Sequence, residues 1–300
     1  MSISKTSRML SRTFSLALLL AVVSCGSPAA KKDASDPVRA FPSVSVPAVC
    51  AQNSAEYTLE HFWDGFFNVS EPWRNDTTYI LGVDKEDVEL NMAMFARILF
   101  QAPVPAGDSA MKILFGKVES FRADSLQAGV SDKIIELVEK YLYEPSSPLH
   151  NEDAFYEFAK GLSSSSIVPE SKKDYYLQAV HNCSLNRKGT KAADFKFKDK
   201  SGKTCNLYSV KARYTLVKIQ DMGCTACKEL KEAMEASPKI CDLIARGVLA
   251  EIDVPAEGEI EKAYDVRAIP SIYILDEEKT VLAKDAEMQY VLDFLENINE

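Results

Sequence analysis

Cys224 and Cys227 are the residues whose type and spacing carry the most chemistry. They lie in KIQDMGCTACKEL, residues 218–230. Thiols at this spacing share one helix face, so they can close a short disulfide or open to a dithiol. The same pair could be half of a metal site, or a permanent structural staple. The run YTLVKIQ before it reads as a strand. The stretch after it predicts a helix from Cys224 to about Ser237, ended by Pro238. A cysteine at a helix start faces unpaired backbone N–H groups and the positive end of the helix dipole, which lowers a thiol pKa from about 8.5. Cys224 is then the expected attacking thiolate. Cys227, one turn further in, is the expected resolving thiol.

The metal reading is the weaker one. Structural zinc takes four ligands and the pair supplies two. Cys241 could be a third, but no His or Cys follows it. His61, His150 and His181 are the chain's three histidines, and none has a ligand-like neighbour one helical turn on. Lys228 stands where haem attachment needs a histidine after the second Cys. No metal and no cofactor is expected.

The N-terminus reads as a targeting segment. Lys5, Arg8 and Arg12 precede the apolar stretch Phe14–Val23, which is too short to span a bilayer. Val-Val-Ser-Cys then resembles a bacterial lipobox. This implies cleavage of a 1–24 signal peptide and lipidation of Cys25, with an ordinary secretory signal or a signal anchor as the alternatives. Acyl chains on Cys25 would tether the mature chain to a membrane. Export would also let disulfides persist. Of the seven cysteines, Cys50, Cys183, Cys205 and Cys241 remain beside the pair and the lipid-bearing one. They could pair or stay thiols, and one sequence does not fix which.

Residues 25–50 carry no hydrophobic period and read as a flexible tether. Residues 51–187 are dominated by helical periodicity, with about six helices. Asp84, Asp108, Ser131 and Asn151 are the expected caps, and Glu144-Pro145 a stop. The aromatic run EYTLEHFWDGFF reads as a core stripe rather than a binding groove. From residue 188 the pattern changes to strands alternating with helices. A hairpin around Lys200-Ser201-Gly202 leads, and a closing hairpin and helix end the chain. The fold class is therefore α/β at residues 188–300, after an all-α domain.

Here the sequence reaches a family. Strand–Gly-Cys-x-x-Cys–helix, Ala-Ile-Pro-Ser before a strand, and the closing hairpin and helix resemble a thioredoxin-like domain. The leading ADFKFKDKSGK is similar to the membrane-tethered, periplasm-facing thioredoxins of the TlpA and ResA kind. The resemblance implies that Pro270 is cis and faces the CxxC, and that the backbone of Ile269 pairs with a bound substrate chain. Many thioredoxins place a buried acid where this chain has Lys218. A lysine there would favour thiolate instead; the alternative is a strand-end lysine reaching solvent. Met222-Gly223 and Thr225-Ala226 depart from the family's usual residues around the cysteines. EHFWDGF with EKYLYEPSSPLHNE resembles a helical domain of unknown function that precedes thioredoxin-like domains in Gram-negative lipoproteins.

Two functions follow as expectations. One is an extracytoplasmic, lipid-anchored thiol–disulfide oxidoreductase at the periplasmic side of the envelope, on the outer membrane rather than the inner. Its partners would be protein thiol or disulfide substrates and a redox partner protein. The other is a non-catalytic binding lipoprotein with a structural disulfide and a helical domain that binds a partner. The formal charge of −9 and the absence of a basic, aromatic-interleaved patch argue against nucleic acid as a partner.

Overall fold

The structure is a computed structural model that describes residues 36–68, 70–122 and 128–298. The signal segment and Cys25 lie outside the described residues. No helix among those described is long and apolar enough to cross a membrane.

Six α-helices form the first part of the described chain: α1 (Ser54–His61), α2 (Lys85–Gln101), α3 (Val104–Arg122), α4 (Ala128–Val138), α5 (Glu152–Ser164) and α6 (Glu170–Ser184). Each long helix buries one stripe. In α2 it is Val88, Met92, Phe95 and Leu99, and in α3 Ala110, Met111, Leu114 and Val118, the three-to-four spacing of a helix face. Phe62, Trp63, Phe66 and Phe67 are all buried and pack on one another and on Phe95. The aromatic run is core. Two short strands, β1 (Tyr79–Ile80) and β2 (Val83–Asp84), pair antiparallel ahead of α2.

Three local expectations are corrected. Asp108 is not a cap: α3 starts at Val104, where the Pro103 carbonyl accepts from the Ala106 and Gly107 amides. Asp108 then lies inside the helix and receives Arg187 Nη2 at 2.5 Å. Ser131 is not a cap either. It is fully buried in α4, and its hydroxyl donates to the Val118 carbonyl of α3 at 2.8 Å. The expected tether ends early. Arg39 donates to the carbonyls of Leu81, Gly65 and Phe66, and Phe41 stacks on Phe66. Backbone bonds from Arg39 N to Gly82 O and from Arg74 N to Pro37 O also hold this polar-looking stretch. Asp84 and Asn151 cap α2 and α5 as expected, accepting from Glu86 N and Ala154 N.

The second part is a thioredoxin-like α/β domain. A hairpin of β3 (Lys196–Lys198) and β4 (Thr204–Asn206) precedes a four-stranded sheet. Its strands are β5 (Tyr214–Gln220), β6 (Leu249–Pro255), β7 (Ser271–Leu275) and β8 (Val281–Ala283), in the order β6-β5-β7-β8. β5 and β6 are parallel, and β7 runs antiparallel to both β5 and β8. The β5–β6 crossover carries α7 (Thr225–Ala236) and α8 (Pro238–Ala245). Next come α9 (Glu259–Tyr264) and, at the end, α10 (Met288–Glu296).

Alternation along each strand splits the core in two. Leu216, Leu249, Ile272 and Ile274 meet Leu230, Met234, Leu243, Val291 and Leu295 of α7, α8 and α10. Val217, Ile219, Ile252, Tyr273 and Leu275 meet Phe195, Ile260 and Tyr264 on the other face. Burying Leu230 and Met234 contributes about 2 kcal/mol each and fixes α7, the helix that carries the cysteines, to the sheet.

Candidate functional site

Strand β5 ends at Gln220, and the chain turns through Asp221-Met222-Gly223. Gly223 adopts φ 91°, a conformation L side chains rarely hold, and the Cys224 amide donates to the Asp221 carbonyl at 3.3 Å. Cys224 is thereby delivered as the N-cap of α7. Its Sγ accepts from the Cys227 amide at 3.1 Å, a role usually taken by Ser or Asp. Cys224 and Cys227 form a disulfide with S–S 2.08 Å. Cys227 is buried, Cys224 is half-buried, and Met222 beside them is fully exposed. Cys50, Cys183, Cys205 and Cys241 are free thiols. Burial pushes the Cys183 thiol up, which keeps it inert.

The Ile269–Pro270 peptide bond is cis. β7 begins one residue later, with Ser271 opposite Ile219 of β5. This register puts Pro270 beside the end of β5 from which the cysteine loop departs. Ile269 is 38% exposed, so the loop presents an apolar residue to solvent.

Lys218 does not reach solvent. It points to the sheet face covered by α7, is 3% exposed, and holds Glu251 Oε1 and Asp253 Oδ1 at 3.1 Å each. Parallel pairing sets Lys218 opposite Asp253, and the two-residue repeat places both acids on the lysine's face. The sequence reading missed these two carboxylates. The signal was present: VLAEIDV carries acids at alternate positions of an otherwise buried strand.

A second ionic cluster joins the helical part to the sheet domain. Glu152, at the first position of α5, is 5% exposed. Its carboxylate contacts the Arg267 guanidinium and lies 2.5 Å from Lys284 Nζ. Arg267 Nε also donates to Asp265 Oδ2 at 2.7 Å, and the guanidinium stacks 4.4 Å over the Tyr143 ring. Burial alone would raise the Glu152 pKa, but Lys284 and Arg267 pull it below the usual carboxylate range. Burial disfavours the Lys284 and Arg267 charges as well, but Glu152 together with Asp285 and Asp153 at Lys284, and with Asp265 at Arg267, raises both pKa values above the ordinary range. His150, Glu152 and Asp285 come within 4.8 Å of one another. Two cations already neutralise Glu152, so the cluster reads as an ion network rather than a metal site. A cavity of about 100 Å³ lies beside it, lined by residues including Phe100, Pro103, Asp153 and Tyr290. No residue of the cysteine loop lines it.

A family model for a domain of unknown function (DUF5106) matches residues 6–186. The chain belongs to this family. Among solved structures, a thioredoxin-like protein from Bacteroides caccae is 28% identical, covering 85% of this chain and 98% of its own, with a TM-score of 0.69. That coverage extends over both parts of the chain, so the pairing of a helical domain with a thioredoxin-like domain is shared. The C-terminal domain of an uncharacterized protein from Bacteroides fragilis is 34% identical over 38% of this chain and 100% of its own, with a TM-score of 0.34. The thioredoxin domain of a thiol-disulfide oxidoreductase from Bacteroides vulgatus is 18% identical over 36% of this chain and 97% of its own, with a TM-score of 0.30. No curated protein matches the chain.

Proposed function

We propose that the chain is an extracytoplasmic thiol–disulfide oxidoreductase, anchored by lipid at Cys25, that works through Cys224 and Cys227. The observation that carries this reading is the position of the pair. Cys224 caps α7 with its sulfur facing the Cys227 amide, while Cys227 is buried behind it. A thiolate at Cys224 would accept that same amide and sit at the positive end of the helix dipole.

In the reducing direction, the Cys224 thiolate attacks one sulfur of a substrate disulfide. A Cys224–substrate S–S bond forms, the substrate S–S bond breaks, and the leaving thiolate takes a proton. Cys227, having lost its proton, then attacks the Cys224 sulfur, and the second substrate thiolate departs. The substrate gains two electrons and the pair becomes the disulfide. A partner protein dithiol restores it. Oxidation of a substrate runs through the same mixed disulfide in reverse.

In this reading the backbone at Ile269, beside Pro270, pairs with the substrate chain as a short added strand. Lys218 offsets part of the charge of Glu251 and Asp253 beside it. It thereby keeps carboxylate charge from opposing the thiolate. The lipid on Cys25 holds the domain at the periplasm-facing side of the envelope, on the outer membrane.

Trapping tests the proposal. Cys227→Ser should accumulate mixed disulfides with protein substrates through Cys224. Cys224→Ser, and the double variant, should accumulate none. Equal trapping by both single variants, or by neither, contradicts the assigned roles.

A further inference from the structure

We infer that the helical domain is a positioning device for the substrate-pairing loop, and that Glu152 is the residue through which it acts. This rests on the oxidoreductase reading, because it concerns how the loop around Ile269 and Pro270 is held.

One end of that loop is tied directly to the buried Glu152 carboxylate, and the other is tied to Asp285, whose chain neighbour Lys284 pairs with the same carboxylate. On the N-terminal side, Arg267 is fixed from three directions: by Glu152 of α5, by its neighbour Asp265, and by the Tyr143 ring of the π-helical turn Glu139–Tyr143. On the C-terminal side, the Ser271 hydroxyl donates to Asp285 Oδ1 at 2.6 Å. Asp285 follows Lys284, which lies 2.5 Å from the other Glu152 oxygen and donates to the Leu185 carbonyl at 2.9 Å. Between these restraints Ala268 and Ile269 stay exposed. The ends are locked and the middle is open, as a segment needs if it is to offer its backbone to another chain without first being ordered.

The chemistry of the restraint supports the same conclusion. Buried ion pairs are weak stabilisers compared with apolar packing of equal volume, but they demand one geometry. The planar guanidinium adds direction that an ammonium would not. A cluster of this kind at a domain junction fixes orientation more than it adds stability. It also lies apart from the disulfide: no residue of the cysteine loop pairs with Glu152, Arg267 or Lys284. Its loss should change how a protein substrate is held, without changing the redox pair.

The experiment compares full-length mature wild type with Glu152→Gln, using dithiothreitol as the electron source. Insulin is the protein disulfide, and bis(2-hydroxyethyl) disulfide, an aliphatic disulfide that dithiothreitol alone reduces slowly, is the small one that needs no strand pairing. We expect kcat/KM for insulin to fall about tenfold or more, the small-disulfide rate to stay within about twofold, and the reduction potential to be unchanged. Amide hydrogen exchange across residues 266–271 should accelerate. Arg267→Lys, which keeps the charge but loses the fork and the ring stacking, should move the same readouts in the same direction. It is the variant read if Glu152→Gln does not fold. A folded variant with the wild-type insulin rate and wild-type exchange in this loop overturns the inference. So does an equal loss on both disulfides. If wild type reduces neither disulfide, the oxidoreductase reading fails by itself, and the exchange measurement alone decides whether Glu152 holds the loop.

Discussion

Lys284 Nζ lies 2.5 Å from the Glu152 carboxylate, and each of the two side chains is only 4% exposed. The pair crosses from the sheet domain to the first turn of α5, and Arg267 joins it on the same carboxylate. Because Glu152 has a depressed pKa in the folded chain, its contribution is fully present above the ordinary Glu range. It is lost as pH falls through the lower, folded value. The neighbouring Asp153 is raised by burial and works in the opposite sense, but it is common to wild type and variant. Glu152→Gln should therefore be less stable than wild type by about 3–5 kcal/mol near pH 7. Urea unfolding should show the gap closing as pH falls below the ordinary Glu range. A gap that does not vary with pH would contradict the assignment of the charge.

Lys218→Met removes the ammonium that pairs with both Glu251 and Asp253. The two carboxylates on the edge strand β6 then stand without that counter-ion. The pKa of the reactive thiol in the reduced protein should rise by about one unit, read as thiolate absorbance against pH. An unchanged thiol pKa would make Lys218 a packing and pairing residue with no effect on the cysteines.

Gly161 of α5 sits where a Cβ would fall 2.4 Å from the Phe115 ring of α3. Gly161→Ala improves helix propensity by about 1 kcal/mol, but the overlap forces the ring or the helix to move, which costs about 1–3 kcal/mol. Net destabilisation is expected, because Phe115 is itself packed edge-on to Phe158. A rise in thermal midpoint would show that the two helices can separate freely.

Cys25→Ser should abolish labelling by a palmitate analogue and release the chain from the membrane fraction. Equal labelling of wild type and variant would place any lipid elsewhere.

How much of this was legible in the sequence depended on how local each signal was. The cysteine pair was readable because both thiols and the helix that presents them lie within one short stretch. The helices of the first domain were readable from their apolar repeat. Their starts were not always so: Asp108 and Ser131 look like caps only if the helix begins after them, whereas α3 starts after Pro103 and Ser131 lies inside α4, bonded across to α3. Lys218 stands out in the sequence without its partners, since only parallel pairing with β6 places Glu251 and Asp253 on its face. The Glu152–Arg267 pair spans a sequence separation of 115, and only the packing of one domain on the other brings it together. Arg267 in VRAIPS carried no local mark of its role.

The most direct test of the central claim is the reduction potential of the Cys224–Cys227 pair. The mature soluble chain would be equilibrated in graded thiol/disulfide buffers, and free cysteines counted by a mass-adding reagent against Cys224→Ser/Cys227→Ser. The oxidoreductase reading predicts a reversible two-thiol transition between about −270 and −120 mV. A pair that stays oxidised below about −300 mV would be a structural staple and would contradict it.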